Sequence, residues 1–155
     1  MPDGRSALAG AQIIAVATNT GTTGPAFFGE WIGDDPVHIN SIGSTIPRQR
    51  EIDELVWDRV ERIVIDAALL LEESGDAIEA RRLGTIDESR IALLGDVIAG
   101  TSEGRTNPSQ RTLYKSVGSA LQDLAVAAFV YGQVSASGKP CPELAPFQKI
   151  ATMQD

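Results

Sequence analysis

Two apolar runs of the sequence end in small polar residues that could bind a flat ligand. The residues concerned are Thr18, Asn19, Thr20, Ile42, Gly43 and Ser44. In a parallel α/β sheet, ligands bind beyond the carboxyl ends of the strands. Small residues there let a flat cofactor approach the backbone, and their hydroxyl and amide groups can hydrogen-bond a ribose or a nicotinamide. The same residue types also turn the chain after most strands, and the pattern alone favours this simpler interpretation.

A polar segment further along the chain carries three cations, Arg105, Arg111 and Lys115. It leads into a long apolar stretch, and an apolar helix that is entered through a cationic loop is a place where an anionic ligand could bind. Three cations in a loop are also commonly solvated. Both interpretations of this segment stay open at the level of sequence.

A long apolar helix is predicted to follow this loop, from 117 to 131. Its apolar residues recur at helical spacing, and one face carries Val117, Leu121, Leu124, Ala128 and Tyr131. Few polar side chains interrupt the segment. We therefore expect the helix to be buried on most sides, against its own domain or against a partner.

Other residues that could do chemistry have simpler interpretations. No Gly-x-Gly-x-x-Gly follows any predicted strand, and Gly21-Thr22-Thr23-Gly24 lacks the Lys-Ser/Thr of a phosphate loop. His38 lies inside a predicted strand and is interpreted as structural, and Cys141, among prolines, as incidental. A group of acidic residues is interpreted as a solvated face rather than as an acid/base pair. Its members are Glu72, Glu73, Asp76 and Glu79.

Composition and charge exclude several classes of protein. With 155 residues, 43% of them hydrophobic and 22% charged, the chain is expected to fold as one soluble domain without a membrane span. The net charge of −8 disfavours nucleic acid and anionic lipid as partners. One cysteine allows no internal disulfide, no Cys/His set could bind a metal ion, and a cytoplasmic location fits best. No apolar core of signal-peptide length follows Arg5.

The positions of the apolar runs predict an α/β fold with a parallel sheet. Strands are predicted at 11–18, 37–42 and 62–66, and a helix over 48–61 gives the spacing of a βαβ crossover. The connection 19–36 is too rich in glycine and proline for a regular helix, and its aromatic residues are expected to pack on the sheet edge. An irregular tail is predicted from 135. Further short helices are predicted at 67–74, 77–82 and 93–99.

Eight blocks of the sequence together suggest a family. They are, in order, Ala15 to Thr20, Phe28 to Ile32, His38 to Ser44, Arg50 to Asp53, Leu94 to Gly100, Gly104 to Thr106, Thr112 to Gly118 and Leu121 to Ala125. In this order and spacing they resemble the ornithine cyclodeaminase/mu-crystallin family, over the region from Ala9 to Gly132. Any one block alone would be a weak signal, whereas the agreement of several is specific.

The resemblance implies a partial Rossmann-like parallel sheet at 9–104, the second half of a dinucleotide-binding domain. It implies that 105–134 form a connecting loop and a long helix of the substrate and dimerisation domain, and that 135–155 form the tail. The residues implied to bind NAD or NADP are Thr18, Asn19, Thr20, Ile42, Gly43, Ser44 and Val117. Lys115 and Ser116 are implied to face the reacting end as catalytic residues. The implied substrate is an amino acid or a cyclic imine, and the implied full-length assembly is a homodimer.

Two departures from the family pattern shape the expected activity. Nothing here matches the family's glycine fingerprint or its substrate-carboxylate residues, so we expect a fragment or truncated homologue that alone binds NAD(P) weakly or not at all. Thr45 stands where ornithine-cyclising members carry an acid, and Thr cannot act as a general base near neutral pH. This favours imine reduction or amino-acid dehydrogenation over ornithine cyclodeamination. A non-catalytic protein that only dimerises or binds small molecules is the remaining alternative.

Overall fold

The computed structural model describes residues 4–138. The chain divides into two compact units, one up to Gly118 and one from Ser119 onward. The predictions for Cys141 and for the tail from 139 to 155 lie outside the described residues. No helix between residues 4 and 138 combines the length and the apolar character needed to cross a membrane.

The first unit is built on a sheet of five parallel strands. The strands are β1 (Ile13–Val16), β2 (His38–Ser41), β3 (Arg62–Ile65), β4 (Ile91–Leu93) and β5 (Thr112–Lys115). They lie in the order β1-β2-β5-β3-β4. The predicted parallel α/β sheet, with strands inside 11–18, 37–42 and 62–66, is therefore confirmed. The continuous apolar runs that predicted these strands are typical of parallel sheets.

Two strands, β4 and β5, have no counterpart in the sequence-based prediction. The interpretation of the cationic segment between 105 and the predicted helix as a loop is wrong at its end, because β5 pairs with β2 on one side and β3 on the other. The helix predicted at 93–99 begins one residue later, because Leu93 ends β4. Both strands are only three or four residues long. Their place is decided by pairing with distant strands, which no local periodicity reveals.

Helices and turns connect the strands. Among residues 4–138 the α-helices are α1 (Glu54–Arg59), α2 (Leu70–Glu73), α3 (Gly75–Leu83), α4 (Leu94–Ala99) and α5 (Ala120–Ala136). Short 3-10 turns lie at Ser6–Leu8, Gly29–Trp31 and Glu88–Arg90. The predicted helix over 48–61 is thus much shorter in the structure, and the helix predicted over 117–131 is shifted toward the carboxyl end.

Asp53 explains why α1 starts where it does. Its carboxylate accepts hydrogen bonds from the backbone N–H of Val56 at 3.2 Å and of Gly29 at 2.8 Å. It therefore caps α1 and also ties the connection 19–36 to the helix. Burial raises the pKa of the Asp53 carboxyl above its usual value, although the two backbone N–H groups act in the opposite direction.

The core lies on one side of the sheet. Ile39, Leu113 and Ile63 occupy paired positions on neighbouring strands and are fully buried. Val56 and Trp57 of α1 are also fully buried and belong to the same cluster. Complete burial of a side chain of this size contributes about 1.5–3 kcal/mol relative to exposure. This packing fixes the strands relative to one another, and it therefore also fixes the positions of the turns that follow them.

The connection 19–36 contains only a single 3-10 turn, at Gly29–Trp31, as its glycine and proline content predicts. Its aromatic rings pack edge to face, with the ring centroid of Trp31 at 5.9 Å from Phe27 and 4.9 Å from Phe28. Phe27 is buried in the core and forms a parallel bridge with Ile52. These aromatic residues therefore pack on one another and on the core, and their expected position on the sheet edge stays a prediction.

The second unit contains α5. Ser119 caps its first turn in a capping box with Gln122, in which each side chain accepts from the backbone N–H of the other. The tail predicted from 135 is wrong at its start, because the helix continues to Ala136. None of the side chains of α5 is buried, and Leu121 is 75% exposed. The predicted burial of this helix is not observed in the described chain, and cover by a partner stays a prediction.

The close contact between the 29–31 turn and α1 can be tested with a glycine substitution. A Cβ on Gly29 would lie 2.4 Å from the backbone carbon of Leu55. We expect Gly29→Ala to destabilise the fold by about 2 kcal/mol or more, as overpacking does in a rigid core. Gly95→Ala is the matched control, because no atom lies within 4 Å of its Cβ and it sits in α4. The control should be neutral or stabilising by up to about 1 kcal/mol in urea denaturation. Equal stabilities of the two variants would contradict this packing.

Candidate functional site

The carboxyl ends of four strands lie side by side. Ser41 pairs with Val16 on one side and with Lys115 on the other. Lys115 pairs in turn with Ile65. The residues that follow these ends therefore meet at one edge of the sheet, in three turns that we call the tip turns. They are the β1 turn (17–20), the β2 turn (42–45) and the β5 turn (116–118).

The tip turns bring together the residues predicted to bind a dinucleotide. Thr18 and Asn19 are exposed, and the apolar side chain of Ile42 is 50% exposed. Thr20 and Ser44 instead hold the turns, since their hydroxyls donate to the carbonyls of Arg50 and Gln49 at 2.6 Å each. Ser44 is also buried, so its side chain faces the interior rather than a ligand.

A buried carboxylate, that of Glu51, joins the first two tip turns. Its Oε1 accepts from the Thr18 backbone N–H at 2.5 Å and from the Thr18 hydroxyl at 3.1 Å. Its Oε2 accepts from the Ser41 hydroxyl and the Gly43 backbone N–H, both at 2.7 Å. The side chain is only 1% exposed. Backbone N–H groups that a turn leaves unpaired are thus satisfied from below by one acceptor.

Gly43 allows this close approach. A Cβ at this position would lie 2.2 Å from Glu51 Oε1 and 2.3 Å from the carbonyl oxygen of Thr18. Any larger residue would push the β1 and β2 turns apart. The requirement for glycine here is steric, and it does not depend on an unusual backbone angle.

Lys115 lies at the end of β5 and is fully buried. Its ammonium lies 3.2 Å from Asp76 Oδ2 and 3.9 Å from Glu51 Oε2, and it donates to the Ser41 hydroxyl at 3.1 Å. Burial raises the pKa of Asp76, while the charge of Lys115 opposes that shift. Lys115 therefore supports the tip turns from inside, and its side chain has no exposed surface in the described chain.

The β5 turn is held by a second carboxylate, that of Asp66. Asp66 Oδ2 accepts from the Ser116 hydroxyl at 2.6 Å and from the backbone N–H groups of Val117 at 3.1 Å and Gly118 at 2.9 Å. Gly118 has a φ of +76°, which favours glycine. The β5 turn places Ser116 and the partly buried Val117 at the carboxyl ends of the strands, beside the β2 turn.

Three acidic residues that hold the site, Glu51, Asp66 and Asp76, are missing from the sequence-based set. The interpretation of Asp76 as part of a solvated acidic face is wrong, because it is fully buried and accepts from the backbone N–H of Glu51 at 2.8 Å. Glu72 and Glu73 are exposed, as that interpretation expects. A signal was available for Asp66, which is the last residue of the predicted strand 62–66. Glu51 and Asp76 gave no local signal, since their partners lie on distant segments.

The other two cations of the segment, like Lys115, are bound by the fold. The Arg105 guanidinium donates to the carbonyls of Asn107, Pro108 and Gln110. Arg111 pairs with Glu61 at 2.6 Å, and its side chain is 21% exposed. Neither arginine is presented to an anion at the carboxyl edge of the sheet. The expectation of solvated cations is wrong for Lys115, which is fully buried.

His38 has a structural partner as well. Its Nδ1 lies 2.7 Å from the hydroxyl of Thr112 on the neighbouring strand, as the interpretation of a structural histidine expects. No group of three or more His, Cys, Asp or Glu side chains within residues 4–138 has the arrangement of a metal site.

A cavity of about 860 Å³ lies away from the tip turns. It is lined by residues near the amino ends of the strands, including Gln12, Pro36 and Arg105. Within residues 4–138, none of the buried polar atoms without a hydrogen-bond partner belongs to a residue that lines this cavity, and the tip turns lie at the opposite end of the sheet. The convergence of the tip turns therefore carries more weight than cavity size in locating the site.

A wholly parallel sheet whose polar turns converge at the carboxyl edge defines a partial Rossmann-like α/β fold. The family model for the ornithine cyclodeaminase/mu-crystallin family matches residues 2–138. The chain belongs to that family, as its sequence blocks indicate.

Curated relatives and a solved structure agree with this membership. Alanine dehydrogenase of Archaeoglobus fulgidus is 33% identical over 117 residues, which are 75% of this chain and 36% of that protein. Ketimine reductase mu-crystallin of Mus musculus is 36% identical over 87% of this chain and 39% of its own length. The structure of Thermococcus litoralis Δ1-pyrroline-2-carboxylate reductase with NADH and L-proline matches with a TM-score of 0.78 and 35% identity, over 89% of this chain and 42% of that one. The chain thus spans about two fifths of the length of these proteins.

The buried charges below the tip turns can be tested by removing the cation. We expect Lys115→Met to destabilise the fold by about 3–5 kcal/mol, because Asp76 and Glu51 lose their shared cation. Adding Asp76→Asn should restore part of the lost stability, because it removes the unpaired carboxylate while its amide oxygen still accepts from the Glu51 N–H. Arg82→Ala, which breaks an exposed pair with Glu79, should leave the stability nearly unchanged, because solvent screens such a pair.

The same variant should show a dependence on pH with a defined sign. The pKa of Asp76 is raised in the fold, so its stabilising contribution is greatest below the ordinary carboxyl pKa and is lost as pH rises through the raised value. Removing Lys115 raises that pKa further. The loss of unfolding free energy in Lys115→Met, relative to the unaltered protein, should therefore become smaller as the pH is lowered in a series of urea denaturations. A loss that does not change with pH would contradict the pairing of Lys115 with Asp76.

Proposed function

We propose that the chain supplies the nicotinamide end of the NAD(P) site in an oxidoreductase that acts on cyclic imines or amino acids. The observation that carries the proposal is the convergence of the three tip turns, with their backbones held from below by Glu51 and Asp66. Asn19 and Ile42, which make no hydrogen bond with these carboxylates in the described chain, are exposed on the same turns. The names and bound molecules of the relatives support the same class of reaction.

The residues present fit a nicotinamide nucleoside. Exposed Asn19 offers its amide to a ribose or a carboxamide, and the oxygen of the Thr18 hydroxyl, which donates to Glu51, can still accept a hydrogen bond. Ile42 and Val117 add apolar surface for one face of a flat ring. When bound, the nicotinamide supplies the hydride chemistry, whereas the protein contributes orientation and surroundings.

The two residues predicted to be catalytic receive different roles in this proposal. Ser116 lies in the β5 turn, where its hydroxyl donates to Asp66 and accepts from the Gly118 N–H at 3.0 Å. We assign Ser116 the role of orienting the substrate or the nicotinamide at the reacting end of the site. Lys115 acts through Asp76 and Glu51 as a positioning residue, because its ammonium is held inside the fold.

The proposed reaction is imine reduction or amino-acid dehydrogenation. Thr45 is exposed in the β2 turn, at the position that carries an acid in ornithine-cyclising members. A threonine hydroxyl cannot take up a proton near neutral pH in the way that a carboxylate can. The alternative, ornithine cyclodeamination, lacks its proton-transfer group here.

We further propose that the full assembly is a homodimer and that α5 belongs to its substrate and dimerisation part. The support is the apolar surface of α5, where Leu124, Phe129 and Tyr131 are all more than 60% exposed. Exposed apolar patches of this kind mark association surfaces. A cytoplasmic location is proposed from the single cysteine.

Saturation-transfer NMR tests which end of the dinucleotide this chain contacts. With NAD+ at millimolar concentration, the nicotinamide protons should receive more saturation than the adenine protons, since the tip turns form only the nicotinamide end. Gly43→Ala should abolish the signal because its Cβ displaces the β1 and β2 turns, and Gly95→Ala should retain it. Equal saturation of adenine, or a full signal from Gly43→Ala, would contradict the proposal. Micromolar affinity would contradict the expectation of weak binding.

A chimera tests the reaction class. The chain would be joined behind the amino-terminal part of the Thermococcus litoralis reductase, in place of the matching segment. We expect NADH oxidation with Δ1-pyrroline-2-carboxylate, or with pyruvate and ammonia, and no proline from ornithine. Gly43→Ala in the chimera serves as the inactive control. Proline and ammonia production from ornithine by the chimera would overturn the preference for imine chemistry.

A further inference from the structure

We propose that Glu51 is a positioning residue that holds the β1 and β2 turns in their ligand-binding geometry before any cofactor arrives. The inference rests on the proposed function, because it assigns Glu51 a role at the nicotinamide end. The side chain is 1% exposed and cannot itself touch a ligand. Its effect on binding must therefore pass through the turns that it holds.

The two carboxylate oxygens are divided between the two turns. Oε1 binds only Thr18, through the backbone N–H and the hydroxyl. Oε2 binds the Gly43 N–H and the Ser41 hydroxyl. The separation between the turns is consequently set by a single rigid group, and charge-assisted hydrogen bonds of this kind are stronger than neutral ones.

Glu51 is itself fixed from the opposite side. Asp76 Oδ1 accepts from the backbone N–H of Glu51 at 2.8 Å and of Ile52 at 3.2 Å, and Asp76 Oδ2 faces Lys115. The backbone of Glu51 is therefore anchored to α3, and Lys115 of β5 lies 3.9 Å from its carboxylate. A turn held in this way needs no ligand to order it, and preformed sites bind more tightly than sites that must first be ordered.

Only a carboxylate suits this position. Each of the four groups that hydrogen-bond to Glu51 acts as a donor, so the pocket requires an acceptor at both oxygens. Glutamine has the same shape, but its NH₂ group would face donors at one of the two turns. Glu51→Gln therefore releases one turn while keeping the volume of the side chain.

The test compares Glu51→Gln with Asp53→Asn, which alters a second buried carboxylate that caps α1 and does not bind the tip turns. Ser41→Ala is a milder variant that removes one bond to Oε2, in case Glu51→Gln does not fold. The first readout is amide hydrogen exchange without ligand, at Thr18 and Gly43. The second is the affinity for nicotinamide mononucleotide, measured by chemical-shift titration on samples that remain folded.

We expect faster exchange at Thr18 and Gly43 and about tenfold weaker nicotinamide mononucleotide binding in Glu51→Gln, as when only a tenth of the molecules have the turns in place. Ser41→Ala should show a smaller change of both, and Asp53→Asn should bind as the unaltered protein does despite its lower stability. Normal binding by folded Glu51→Gln, or by Ser41→Ala if Glu51→Gln is unfolded, would overturn the positioning role alone. Absence of nicotinamide mononucleotide binding by the unaltered protein, together with absence of NADH oxidation by the chimera, would overturn the proposed function instead.

Discussion

The site depends on charged groups buried beneath the ends of parallel strands. Glu51, Asp76 and Lys115 are fully or almost fully buried, and a buried charge is tolerated only when it is paired and hydrogen-bonded. Here the carboxylates find their partners among the backbone N–H groups that strands and turns leave free, and the ammonium lies between two carboxylates. The need to satisfy each charge therefore fixes the turns as well. One set of interactions balances the buried charge and shapes the carboxyl edge of the sheet.

This arrangement gives each tip turn two different sides. The inner side is engaged by a carboxylate, whereas the outer side keeps Asn19 and Ile42 accessible. Glycine at position 43 serves the inner side, since a Cβ there would collide with Glu51 and with the Thr18 carbonyl. The interpretation of these residues as turn formers and their interpretation as ligand contacts are compatible, because they concern opposite sides of the same turns.

Sequence patterns predicted the parts of the fold that depend on local order. Apolar runs located β1, β2 and β3, and the small polar residues after them located two of the three tip turns. β5 escaped prediction because Thr112 to Lys115 is short and ends in a charged residue, which is acceptable at the centre of a sheet only because Asp76 and Glu51 are near. Asp76 resembled its exposed neighbours Glu72 and Glu73 in sequence, and only its distant partners distinguish it. Residues whose role is set by long-range charge pairing were therefore the ones that local reasoning could not assign.

The two units of the chain differ in whether their own contacts are enough to stabilise them. Every hydrogen bond that fixes the tip turns joins residues of the first unit, between Thr18 and Gly118. α5 has its own capping box, but its apolar side chains are exposed and therefore contribute no hydrophobic stabilisation. An isolated helix of its length is only marginally stable without tertiary contacts. Order in the tip turns thus comes from polar contacts that are already present, whereas stability of α5 requires apolar cover. A partner surface would then stabilise the helix without having to build the turns, because the turns are already held by Glu51 and Asp66.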